Sequence, residues 1–281
     1  MESPLGAFPA MGTVVSVRLG EVEVELPTDG ALVDGALADG ALAAADAAFA
    51  RWEARCSLFR PSSELNRVNR GQLALTDASP EVREAYAIAL DWRARTGGAF
   101  TPHRGDGAID LNGVVKALAI AEAGVAIERA GFARWGIDAG GDVLVAPVTA
   151  GATPWQVGIV DPADRRSMLA GVDLGARRLA VATSGSAERG DHIWTAPGAG
   201  PSPFSQVSVA ARDILTADVL ATGIVAGGHD ALDEFAERFD VDVLAVQSDG
   251  TLLATPGWPR SAAAVPPSAA AVTRPAAAPA R

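Results

Sequence analysis

The stretch Asp110-Leu-Asn-Gly-Val-Val-Lys116 runs directly into the alanine-rich residues 117–130 and stops at Gly131. Apolar residues recur there at helical spacing. This predicts a helix from about Gly113 to Ala130, capped by Asn112 and ended by Gly131. A helix N-terminus carries unpaired N–H groups and the positive end of the dipole, so it suits a phosphate. Lys116 is the only lysine among 23 basic residues. Taken alone, it reads equally as a solvated helix lysine or as a compact ammonium doing what a planar guanidinium cannot.

Around this helix the pattern alternates irregularly. Gly12 to Leu19 reads as a strand. The Asp-Gly-Ala-Leu repeat within Asp29 to Leu42 reads as a turn entering an alanine-rich helix that runs to about Arg55. A helix is predicted over Pro80 to Arg95, capped by Ser79 and stopped at Gly97-Gly98. Strands are predicted over residues 135–138, 142–146, 155–160, 179–183 and 206–211. Two helices, 216–226 and 231–238, follow, and a hairpin across Asp249-Gly250 joins strands 241–246 and 251–254. With no βαβ repeat, this is an α+β chain. Residues 1–258 form the folded domain. The Ala/Pro-rich segment 259–281 cannot recover its ordering entropy by burial and reads as a disordered tail.

Composition narrows the function. At 281 residues and 49% hydrophobic, the chain can bury a large core. A net charge of −11 with no basic cluster argues against a nucleic-acid partner. The single Cys56 excludes an intramolecular disulfide and a cysteine-rich zinc site, and reads as buried filler. No window approaches the ~20 apolar residues of a membrane-spanning helix. The start of the chain lacks a secretory signal pattern, so a cytoplasmic protein is expected.

Two further segments carry chemistry. In Ala217-Asp218-Val-Leu-Ala-Thr222, Asp218 and Thr222 stand at i and i+4, so their oxygens share a helix face. Such a sparse, hard-oxygen set suits magnesium. An isolated pair of this kind is more often a cap or a surface pair, where losing the carboxylate costs little. In Ala182-Thr-Ser-Gly-Ser-Ala-Glu-Arg-Gly-Asp-His192-Ile193, small hydroxyls end a strand. Glu188 and Arg189 read as an exposed ion pair, and His192 is one of three histidines. Gly140 and Gly141 fit a tight hairpin or bulge rather than a dinucleotide loop, and no P-loop occurs.

The order of these segments resembles the FAD:protein FMN transferases, the ApbE-like flavin transferases, over about residues 9–250. Met11-Gly12-Thr13 precedes the first strand. Ser57-Leu-Phe59-Arg60-Pro61-Ser-Ser63-Glu64-Leu-Asn-Arg67-Val-Asn69 is similar to the family's S-x-[YF]-x-P-x-S-E stretch, and Gly98-Ala99-Phe100-Thr101-Pro102 to its G-A-F-D-P turn. Asp110 to Lys116 matches D-[LP]-[SGN]-x-[IVL]-x-K. Asp138-Ala-Gly140-Gly141-Asp142, Pro154 to Pro162, Thr183-Ser184-Gly185 and Asp218 to Thr222 follow in order. Three departures stand out. Thr101 replaces an acid, Ala117 a glycine, and Trp194 onward the Asp-Pro-x-Thr-Gly that usually follows His-Ile.

The resemblance implies an architecture of mixed sheets packed with helices, related to the T-fold. It implies magnesium-dependent transfer of FMN from FAD to a threonine hydroxyl of an acceptor protein, releasing AMP. The acceptor would carry a Ser/Thr-Gly-Ala-Thr-like motif. Met11, Phe59, Ala99, Phe100, Thr101, Asp110, Lys116 and Ile193 would bind FAD, with Phe59 and Phe100 packing on its rings. Asp218, Thr222 and the carbonyl near Gly113 would hold magnesium. His192 would be the base, with Asp218 and Lys116 also at the reacting phosphates. Competing readings are an FAD pyrophosphatase that uses water, a non-catalytic FAD binder, and an interaction protein on the same fold.

Overall fold

The structure is a computed structural model and describes residues 5–20, 30–185, 201–258 and 272–273. The chain divides into two compact units: Met1–Asp91 with Pro102–Thr153, and Trp92–Thr101 with Pro154–Arg281.

In the first unit, β1 (Leu5–Ala10), β2 (Thr13–Leu19), β3 (Trp135–Ala139) and β4 (Asp142–Val145) form an antiparallel run in that order. Val15, Val17 and Leu19 of β2 are fully buried at alternate positions, the period of a half-buried strand. Sequence patterning misses β1 because Pro9 reads as a breaker. Here Pro9 sits on the terminal strand of that run, where a missing N–H is tolerated. Helix α1 (Gly30–Cys56) packs on helix α4 (Asn112–Arg129). The Asp-Gly-Ala-Leu repeat is therefore helix from Gly30 onward, not a turn. The buried stripe Ala38, Ala41, Ala45, Ala48 and Phe49 keeps helical spacing back into the repeat, so packing outweighs its glycines. Gly124 lets α4 lie against the sheet, since a Cβ there would strike the ring of Trp135.

Two capping assignments change. Leu111 precedes α4, and the Asp110 carboxylate, not Asn112, accepts from the first turn: Asn112 N–H donates to Asp110 Oδ1 at 2.9 Å. An ionised acceptor gains more from the helix dipole than an amide does. At α3 (Pro80–Arg95) the Ser79 hydroxyl makes no hydrogen bond; its backbone N–H donates instead to Glu64 Oε2 at 2.6 Å. That glutamate opens α2 (Glu64–Asn69), a short helix absent from the sequence expectation and capped by Ser63, which accepts from Asn66 N–H at 3.1 Å.

In the second unit β7 (Ala180–Gly185), β8 (Phe204–Ala211), β9 (Asp242–Gln247) and β10 (Leu252–Ala254) pair antiparallel in sequence order. β5 (Trp155–Val160) and β6 (Met168–Leu174) form a separate antiparallel pair. β6 escapes the pattern because Gly171, which faces Gly158, reads as loop. Of the tail, only Val272–Thr273 lies among the described residues, as a two-residue β11 parallel to β10. Helix α5 (Ile214–Arg238) packs on β7 and β8 and kinks at Gly228 (φ 67°), which accounts for the two predicted helices. At its start Asp213 accepts from Thr216 N–H at 2.8 Å.

Candidate functional site

The first unit holds four of the eight predicted FAD residues: Met11, Phe59, Asp110 and Lys116. Met11 and Gly12 connect β1 to β2 with φ of 49° and 74°, and Met11 is the only non-glycine residue with positive φ among those described. For an L side chain that conformation costs about 1–2 kcal/mol, so packing must hold it. Met11 N–H donates to Glu53 Oε2 at 3.4 Å, and Arg60 reaches the other oxygen of Glu53 at 3.2 Å. Glu53 on α1 thus links the Met11 turn to the Phe59–Arg60 loop. That loop is held firmly. Asn66 Nδ2 donates to the carbonyls of Ser57, Leu58 and Arg60, and Ser63 Oγ donates to Ser57 O at 2.7 Å. Yet the Phe59 ring is 85% exposed. A large apolar ring displayed on a rigid loop is a surface for a ligand to stack on.

Asn69 carries the same motif on to Asp110. Its amide donates to Ile109 O and accepts from Ile109 N–H, both at 2.9 Å, fixing the residue before Asp110. The Asp110 carboxylate in turn holds the first turn of α4, where Gly113 and then Lys116 follow.

Lys116 is not a solvated lysine. Its side chain is 11% exposed and its ammonium pairs with the carboxylate of Asp142, which is 1% exposed. Asp142 opens β4 directly after the Gly140–Gly141 turn, a two-residue hairpin with φ of 66° and 91°. A Cβ on Gly140 would strike Thr13, so this turn lies against the Met11–Gly12 turn. Asp138 accepts from Gly141 N–H at 2.9 Å. Desolvation against the hairpin raises its pKa above the usual carboxylate range, opposed by the Gly141 hydrogen bond; nearby Asp142 raises it further and Lys116 pulls it back.

The second unit brings the remaining segments onto α5. Asp218 is buried at 6% exposure, which corrects its expected place on a helix surface. One turn on, Thr222 Oγ1 lies 3.1 Å from Ser184 Oγ at the end of β7, and Thr183 Oγ1 lies 2.8 Å from Ser208 Oγ. Gly185 is required there: a Cβ would sit 2.7 Å from Ser205 O. The Gly98–Thr101 turn packs on the same helix. Its Ala99 lies against Gly227 and its Phe100 against Gly223, and Thr96 Oγ1 accepts from Phe100 N–H at 3.2 Å. Phe100 is only 4% exposed. Its ring is core, so it does not display a face for stacking as Phe59 does.

His192 and Ile193 lie outside the described residues, as do Glu188 and Arg189. Among the described residues no three His, Cys, Asp or Glu side chains cluster as a metal site, and no helix is long and apolar enough to cross a membrane. A cavity of about 590 Å³ in the second unit lies beside the far end of α5, lined by Leu232, Phe239 and Leu253 among others, and includes no candidate site residue.

Comparison with known families decides the lineage. The ApbE family profile matches residues 11–107 and 102–245. The chain belongs to the ApbE family. With membership the expected enzyme class, a transferase, and the α+β architecture both stand. Among solved structures, an ApbE protein from Thermotoga maritima superposes with a TM-score of 0.72 at 20% identity, covering 89% of this chain and 96% of its own. The flavin transferase ApbE from Vibrio cholerae gives 0.69 at 19%, covering 90% and 97%. The apo flavinyl transferase ApbE from Pseudomonas stutzeri gives 0.66 at 20%, covering 89% and 93%. These likenesses establish the shared fold. A comparison with curated proteins finds no match.

Sequence reasoning passed over Glu53 and the roles of Asn69 and Asp142, which it quoted only within motifs. The signal for Asp142 was on the page: it ends the Asp138–Asp142 motif as one of two acids flanking the glycine pair. Its partner was not, because a distant ion pair leaves no periodic trace.

Proposed function

We propose that this ApbE-family chain transfers the FMN half of FAD to a threonine hydroxyl of an acceptor protein and releases AMP. The observation that carries the reading is the polar face of α5, where the Thr222 hydroxyl meets Ser184 one turn on from buried Asp218. A carboxylate and a hydroxyl one turn apart form a hard-oxygen set that fits magnesium, an ion content with few protein ligands. Gly113, at the start of α4, remains the proposed carbonyl ligand. Bound there, magnesium would neutralise charge on the phosphates of the substrate.

The remaining work falls to the chain. Phe59 offers a ring face to the flavin or adenine, and the Met11 turn supplies backbone held in place by Glu53. Lys116 donates hydrogen bonds to FAD, and the Asp110 carboxylate, by holding the α4 N-terminus, sets the first-turn N–H groups toward an anion. Ala99, Phe100 and Thr101 shape the floor on α5, and Ile193 backs the flavin. In the transfer, the threonine oxygen bonds to the FMN-side phosphorus while the bond from that phosphorus to the bridging oxygen breaks. AMP leaves with the bridging oxygen and its electron pair. His192 takes the hydroxyl proton as the general base.

The acceptor carries a Ser/Thr-Gly-Ala-Thr-like motif in this reading. Were water to replace it, the products would be FMN and AMP. Dependence of AMP release on an added acceptor peptide separates the two and tests the proposal.

A further inference from the structure

The Lys116–Asp142 pair has no assigned purpose in the reading above, which gives a role to the lysine alone. We propose that Asp142 is a positioning residue for FAD: it fixes the Lys116 ammonium by a buried ion pair and so presents the remaining ammonium donors to the ligand. This rests on the reading of Lys116 as an FAD-binding residue.

Three observations carry it. First, Asp142 is itself rigidly placed. It follows a two-residue turn whose glycines have φ of 66° and 91°, and Thr13 closes the space above Gly140. Second, the Asp142 side chain is 1% exposed and the Lys116 side chain 11%, so what opening the pair has lies on the lysine. An ammonium has three donors and, among the described residues, pairs with the one carboxylate of Asp142, so donors remain for another acceptor. Third, the charges do not leave Lys116 as surplus positive potential. Asp138 and Asp142 both act on it. Flanked by two acids, the ammonium serves as an oriented donor more than as a bulk counter-charge, which explains why its direction must be set. The same geometry accounts for lysine surviving here in a chain that otherwise uses arginine. A planar guanidinium is bulkier than the compact ammonium that pairs here with buried Asp142.

The test is a double-mutant cycle on the full chain, with FAD affinity read by quenching of flavin fluorescence and folding by thermal melting. Lys116→Met and Asp142→Asn should each weaken FAD binding by about tenfold or more. The double variant should bind no worse than the weaker single variant, because both changes remove one device. Asp142→Glu, which keeps the charge, should bind more tightly than Asp142→Asn. If Asp142→Asn does not fold, the charge-free double variant is compared with Lys116→Met alone, and equal affinity supports the proposal. A folded Asp142→Asn with wild-type affinity beside a weakened Lys116→Met overturns it, as does additive loss in the double. Wild-type affinity in Lys116→Met instead overturns the reading of Lys116 itself, and the proposal with it.

Discussion

Ser184 Oγ at the end of β7 lies 3.1 Å from Thr222 Oγ1 on α5, joining a strand end to the helix that also carries Asp218. Removing the Asp218 charge while keeping its shape isolates its chemistry from its packing. Asp218→Asn should lower magnesium-dependent AMP release by about 10²–10³, the scale of losing one electrostatic stabiliser. Because Asp218 is buried, Asp218→Ala should also lower the melting temperature, unlike a surface change. AMP release that stays at the wild-type rate across a magnesium titration would remove Asp218 from the metal.

Phe59 separates binding from folding. Its ring is 85% exposed, so Phe59→Ala should leave stability within about 0.5 kcal/mol. FAD affinity should fall by about 2–13-fold, the worth of one aromatic stacking contact. Calorimetric titration with FAD checks this; unchanged affinity would make Phe59 an incidental surface ring.

Cys56 should be chemically silent. Burial, helped by Glu64 and opposed by Arg55, pushes its thiol up to about 12, and the thiolate is the reactive form. A group raised in the folded state stabilises it below the unfolded pKa of about 8.5 and loses that contribution as pH climbs toward the folded value. Native protein should therefore resist a thiol-alkylating reagent at pH 8, while denatured protein reacts fully. Rapid native labelling would contradict the burial.

His192 is tested through rate and affinity together. His192→Ala should slow transfer by roughly 10²–10⁴ and largely keep FAD binding. If Asp218 takes the proton instead, the variant keeps its rate at saturating FAD and loses affinity.

Much of this was legible in the sequence, for reasons that can be named. The helix Pro80–Arg95 ends where Gly97 and Gly98 take φ of 59° and 89°, conformations that glycine advertises. Strand Trp155–Val160 carries β-branched residues at alternate positions. Local chemistry of this kind writes itself into neighbouring residues. Distant pairing does not. Nothing near Ser79 announces that Glu64 will take its N–H, and nothing near Lys116 announces Asp142. The i, i+4 spacing put Asp218 and Thr222 on one face, but only packing against β7 and β8 decided that this face is buried. The strand Leu5–Ala10, which the sequence reading did not assign, tolerates Pro9 because it is the outermost strand of the run.

The central claim is group transfer to a threonine. The full chain is incubated with FAD, magnesium and a synthetic peptide ending in Ser-Gly-Ala-Thr, and the peptide is weighed by mass spectrometry while AMP is quantified. The account predicts a peptide heavier by one FMN less water, one AMP per modified peptide, and neither product when the threonine is replaced by valine. AMP and free FMN appearing at the same rate without any peptide would contradict it.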